Sequence, residues 1–102
     1  MNKIRMFYTT IGNIRDARSF SKILLKNRLA KCINIIKELE SFYLEDKKIK
    51  KSKEYGIIIK TTYSKKDIEK VLIKNHNYEI PFLGEIKLTQ VNKNYIVWAS
   101  SD

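Results

Sequence analysis

The rhythm of apolar and polar positions changes along the chain, and each change marks an element. From Lys3 to Thr10 the residues alternate as in a strand, with Ile4, Met6 and Tyr8 on one face and Phe7 on the other. Gly12 and Asn13 make a turn, and Asn13 is placed to cap a helix, with Asp16 near its positive end. Ala17, Phe20, Leu24 and the pair Arg28/Leu29 then recur at three- and four-residue steps, which predicts a helix to about Ala30. Cys32 to Glu45 reads as a long strand that opens on the run Cys32-Ile33-Asn34-Ile35-Ile36 and continues through Phe42 and Tyr43. Glu45 to Lys53 is highly charged, with Ile49 as its apolar member, and is expected to form an exposed hairpin tip. Glu54 to Thr62 returns as a strand around Ile57-Ile58-Ile59.

The second half repeats the logic. Ser64-Lys65-Lys66-Asp67 has the form of a capping box, and Ile68, Val71 and Leu72 make the apolar stripe of a helix that ends near His76. Pro81 breaks the chain before Glu85 to Val91, a fourth strand with Ile86 and Leu88 on one face. Asn92 to Ser100 is a short closing segment, helix or strand, carrying Tyr95 and Trp98. The order is βαββαβ plus a C-terminal piece, an α+β, ferredoxin-like sandwich with a four-stranded antiparallel sheet and an extended middle hairpin. Two helices cover one sheet face. Apolar side chains on the other face, and open edges on the long hairpin, predict association with further copies of the chain.

Composition narrows the function classes. The 102 residues fit one domain, 1–102, with a single core and little room for a deep cleft. Hydrophobic residues at 43% argue against disorder, yet no apolar run approaches the ~20 residues of a membrane helix. The N-terminus lacks the long apolar stretch of a signal peptide, and Cys32 is the one cysteine, so the cytoplasm is the expected compartment and no membrane partner is expected. The net charge of +10 raises the question of a polyanion partner. Lysine outnumbers arginine 17 to 4, and isoleucine and asparagine are abundant, a set that AT-rich codons supply. Nucleic acid is therefore disfavoured, since arginine is the residue of bidentate phosphate and base contacts.

Five ordered segments resemble the CutA-type divalent-cation tolerance proteins over nearly the whole chain. Arg28-Leu29-Ala30-Lys31-Cys32-Ile33-Asn34-Ile35-Ile36 resembles the family's R-L-A-A-C-V-N-I-I. Ser41-Phe42-Tyr43 resembles S-x-Y, and Ile59-Lys60-Thr61 resembles I-K-T. His76-Asn77-Tyr78-Glu79-Ile80-Pro81 resembles H-P-Y-E-V-P, and Tyr95-Ile96-Val97-Trp98 resembles the closing Y-x-x-W. The resemblance implies a ferredoxin-like fold, a homotrimer built with the long hairpin, and tolerance of divalent metal ions, with copper bound by some members. The trimer looks like that of the PII signalling proteins, so a small-ligand signalling module is the alternative. The chain departs from the pattern at Lys31, Glu45, Lys47, Asn77 and Phe82, and Thr9 and Asn75 stand where some members carry a further cysteine and histidine.

Candidate chemistry is sparse. Cys32 is the softest donor and suits Cu(I) or zinc, although a cysteine opening a core strand is also a packing residue. His76, the one histidine, is a potential ligand or a helix C-terminal residue, with Glu79 as third ligand. One cysteine and one histidine cannot complete a structural zinc site, so no obligatory cofactor is expected and an exchangeable copper or other divalent cation would need water or neighbouring chains. Lys60, Tyr78, Tyr95 and Trp98, at matched family positions, are expected to line an intersubunit ligand cleft or to fill the interface itself. The chain has no glycine-rich phosphate loop and no triad signature, so it is not expected to be an enzyme. The rival from the same fold is an RNA-recognition motif, in which Tyr55 of Lys53-Glu54-Tyr55-Gly56-Ile57 would stack a base.

Overall fold

The computed structural model describes residues 3–101. β1 (Arg5–Ile11), α1 (Ile14–Lys26), β2 (Cys32–Glu45), β3 (Lys48–Thr61), α2 (Lys65–Asn75), β4 (Gly84–Ile86) and α3 (Lys93–Ser100) follow one another along the chain. The four strands form one antiparallel sheet in the order β2-β3-β1-β4, the ferredoxin-like arrangement.

Register decides which apolar face becomes the core. Phe7 stands opposite Ile59 and Thr9 opposite Ile57, and all four are fully buried under α1 and α2. Phe20 and Leu24 of α1 and Ile68 and Leu72 of α2 close this core. Met6, Tyr8, Ile58 and Ile36 lie on the opposite face, where no helix covers the middle of the sheet. Tyr55, opposite Ile11, packs against the core, so the side chain an RNA-recognition motif would use for stacking is turned away from the open face.

Local chemistry explains the element ends. Asn13 caps α1 by accepting from the Asp16 N–H, and Ser64 and Asp67 form the capping box of α2. α1 stops at Lys26, short of the expected Ala30, because Arg28 takes a left-handed conformation with φ 58°. The Leu29 N–H donates to the Leu24 carbonyl and the Arg28 N–H to the Leu25 carbonyl, a Schellman motif with arginine where glycine is usual.

The hairpin tip expected over 45–53 is exposed, and it is paired strand up to its turn. Glu45 faces Lys48, and Asp46 and Lys47, with φ 52° and 62°, make a two-residue turn of type I′ character. A bulge separates the Ile36–Gly56 pair from the Leu39–Glu54 pair, with Glu38 at φ 53°. It returns Leu39 to the face of Gly56, where an added Cβ would lie 2.9 Å from Leu39 Cδ1. The expected fourth strand over 85–91 shortens to Gly84–Ile86, since its downstream half pairs with no strand among the described residues. The closing segment is the helix α3. The radius of gyration is 14.6 Å, against about 13 Å for a compact domain of this length, because the hairpin projects beyond the helices.

Lys47→Gly tests the turn. Glycine relieves a left-handed β-carbon that costs about 1 kcal/mol, so urea unfolding should show that much added stability. A loss of stability would contradict the left-handed turn.

Candidate functional site

The loop after α2 folds back onto the end of β1. The Asn77 side-chain amide donates to Asp16 Oδ2 at 2.8 Å, and Thr9 Oγ1 donates to the Phe82 carbonyl at 2.6 Å. Between these ties sits His76. The Tyr78 N–H donates to its Nδ1 at 2.9 Å, and its Nε2 lies 2.8 Å from the Thr10 carbonyl. Nδ1 accepts, so the proton of the neutral ring is on Nε2 and is donated to Thr10. Both nitrogens are engaged by the fold.

Glu54 is the centre of the same corner. The Tyr78 hydroxyl donates to its Oε2 at 2.7 Å. Burial alone would raise the Glu54 pKa, but hydrogen bonds from Ser41, Tyr78 and Thr10 together bring it below the ordinary glutamate range. Tyr78 is pushed the other way, above the usual tyrosine value, by burial first and then by the Glu54 carboxylate. Gly12 leaves room for this ring, since a Cβ there would stand 3.0 Å from the Tyr78 hydroxyl oxygen. Sequence reading missed Glu54 because its partners come from β1, β2 and the loop after α2, none of them near it in sequence.

The remaining expected residues gather at the other end of the sheet. Cys32 pairs with Lys60, and Lys60 pairs with Met6. Tyr95 of α3 lies beside them. The Lys60 ammonium is 5.9 Å from its ring centroid, and burial, then the nearby Cys32 sulfur, raises its pKa. The Tyr95 hydroxyl is buried with no partner among the described residues. Trp98 follows one turn on, with the Lys31 ammonium 4.7 Å over its ring.

The expected metal ligands therefore do not converge within one chain. Cys32 is opposite Lys60 and His76 is bonded at Thr10, four residues further along the sheet, or about 13 Å. Ligands of one ion lie about 2 Å from it. Glu79 is exposed on the loop after α2. Among the described residues no group of three histidine, cysteine or carboxylate side chains could hold a metal. Nor do Lys60, Tyr78, Tyr95 and Trp98 share one cleft, because Tyr78 stands at the Thr10 end.

Fold and site define a ferredoxin-like protein with a projecting hairpin and no catalytic constellation among the described residues. The sequence model of the CutA1 divalent ion tolerance protein family matches residues 5–102. The Divalent-cation tolerance protein CutA of Thermococcus kodakarensis is 35% identical over 92 residues, 89% of this chain and 88% of that protein. The crystal structure of the divalent ion tolerance protein CutA1 from Ehrlichia chaffeensis superposes with a TM-score of 0.92 at 33% identity, covering 97% of this chain and 94% of that one. A structure described as the periplasmic divalent cation tolerance protein CutA from Archaeoglobus fulgidus superposes with a TM-score of 0.89 at 26% identity, covering 95% of each chain. The chain belongs to the CutA divalent-cation tolerance family.

The Glu54 corner makes a pH-dependent contribution to stability. A carboxyl whose folded pKa is depressed stabilises fully above the ordinary glutamate value of 4.5 and loses that contribution as pH falls through its folded value. Tyr78→Phe should lower stability by about 1 kcal/mol at neutral pH, the low end for a partly exposed hydrogen bond to a charge. Thermal melts of the two proteins should converge in acid below that window. A difference that persists unchanged there would assign the effect to packing.

Proposed function

We propose that this chain works as a cytoplasmic homotrimer and supports tolerance of divalent cations by binding. The observation that supports assembly is uncovered apolar surface. Leu44 and Ile49 face each other across the hairpin at 73% and 77% exposure, and Phe42 beside them is 64% exposed. The chain exposes 7350 Å², against about 6,000 Å² for a globular protein of its size. The excess is of the order that a specific interface buries on each partner.

Strand pairing supplies direction. β2 is an edge strand of 14 residues, and its outer edge has no strand neighbour among the described residues. Residues 87–91, read as strand from their alternation, also lack a strand partner among the described residues. Pairing that segment with the β2 edge of the next copy satisfies both, and repetition of a head-to-tail contact closes a ring. The number three comes from the family resemblance.

Cys32, half-buried and free, is the soft donor we assign to an exchangeable copper or other divalent ion, with neighbouring subunits completing the set. His76 and Glu79 were candidates for that set. The two hydrogen bonds of His76 would have to break before its ring bound a metal. Cytoplasmic location rests on the lone cysteine and on the absence, among the described residues, of a helix long and apolar enough to cross a membrane.

Sedimentation equilibrium at micromolar concentration should give three times the chain mass, and a stable monomer would overturn the assembly. Copper titration should show lower stoichiometry for Cys32→Ala and unchanged stoichiometry, with lower stability, for His76→Ala. Equal stoichiometry in wild type and Cys32→Ala would remove the thiol from the site.

A further inference from the structure

We propose that the cleft between the end of α1 and α3 binds a small organic anion that carries a flat ring. The cleft encloses about 580 Å³, the size of many small-molecule sites. It lies at the end of the sheet remote from the hairpin turn, where Arg28, Lys31, Thr62, Tyr63 and Trp98 face one another.

Two neighbouring concavities differ from it in their carboxylates. The cleft around Arg5 holds Lys3, Arg5 and Lys87 together with Glu85, which pairs with Arg5 through a bidentate contact. The groove beside α2 is lined by Glu69 and Glu79. The Trp98 cleft holds two cations and, among the described residues, no carboxylate. Neither Arg28 nor Lys31 takes part in an ion pair among those residues. The Lys31 ammonium donates to the Ser101 carbonyl at 2.9 Å; two cations without counter-charge among the described residues of a concave site raise the local potential and attract an anion. A guanidinium fork and an ammonium suit a carboxylate or a phosphate.

The rings identify the rest of the ligand. Trp98 is 50% exposed and Tyr63 43% exposed, an uneconomical placement for large aromatics unless a partner covers them. The Lys31 ammonium over the indole puts positive charge beside an aromatic surface, so one molecule with an anionic head and a flat body meets both.

An independent observation concerns the backbone. Arg28 occupies the left-handed position of the Schellman motif that ends α1. Glycine is the favoured residue there, and a β-carbon costs about 1 kcal/mol. A disfavoured conformation kept by a residue whose side chain lines a cleft is the pattern of a functional position. The fold alone gives no reason for arginine at this point.

This inference rests on neither the trimer nor the copper assignment. It is tested by calorimetry on the full chain in metal-free buffer. Adenosine 5′-monophosphate and naphthalene-2-carboxylate present a ring with a phosphate or a carboxylate; inorganic phosphate and adenosine each lack one half. At least one ring anion should bind with a Kd under about 1 mM and at least about tenfold more tightly than either control. The ring anion that binds identifies the head group. Binding should shift the indole N–H resonance of Trp98, the one tryptophan. Arg28→Gly should hold or raise the melting temperature while weakening binding about tenfold, and Lys31→Gln should weaken it similarly. Failure of both ring anions to bind, unchanged affinity in both variants, or a silent Trp98 resonance would each overturn the proposal, whatever the oligomeric state and copper stoichiometry prove to be.

Discussion

The two helices are too short for the strands they cover. α1 has 13 residues and α2 has 11, so they span about 20 Å and 16 Å. β2 and β3 have 14 residues each, and strands of that length run about 46 Å. A helix layer that short can seal only the part of the sheet nearest β1. Everything further out has a paired backbone but side chains that no element of the same chain reaches. The molecule accordingly measures 47 Å along its long axis and only 27 and 23 Å across. The hairpin backbone is sound on its own terms, with a bulge to manage its twist and a tight turn to fix its register. Its apolar side chains Phe42, Leu44 and Ile49 stay exposed.

The same division explains why the residues that look chemical do different things. Near β1, where the sheet is sealed, polar groups satisfy one another. His76 is held by two backbone groups, and Glu54 is held by hydroxyls from three parts of the chain. These bonds pin the loop between α2 and β4 to the sheet, and a ring fixed in that way is a structural histidine in the isolated subunit. At the other end, around Cys32, Tyr95 and Trp98, polar groups are left over. Among the described residues the Tyr95 hydroxyl has no partner, Arg28 and Lys31 have no counter-ion, and the indole is half exposed. Unsatisfied groups mark where binding partners are expected.

Much of this was legible in the sequence wherever the signal was local. The capping residues Asn13, Ser64 and Asp67 act through neighbours three positions away, and their spacing alone identified both helix starts. The run from Cys32 to Ile36 and the alternation around Ile57 identified the long strands. Helix ends and turns were harder because this chain uses unusual residues there. Arg28 stands where glycine would have announced the end of α1, and Asp46-Lys47 stands where Asn-Gly would have announced the hairpin turn. The core face of β1 was ambiguous because both faces are apolar, and only pairing with Ile57 and Ile59 resolves it. The fourth strand was read too long because alternation reports a tendency to pair, and pairing needs a neighbour. His76 carried no sign of its hydrogen bonds, since the Thr10 carbonyl is 66 residues away. The CutA resemblance added what local signals lacked, the expectation of divalent-cation tolerance.

Charge constrains what a tolerance protein of this composition can hold. A net charge of +10 per chain, multiplied by any assembly, repels free divalent cations at long range. Hard ions such as calcium and magnesium need clustered oxygen ligands, and the described residues offer no such cluster. Short-range covalency to a thiolate suits soft metals, where a carboxylate does not. The same field draws small anions inward. For this member of the family, long-range electrostatics works against a hard metal ion, and Cys32 is the single thiol.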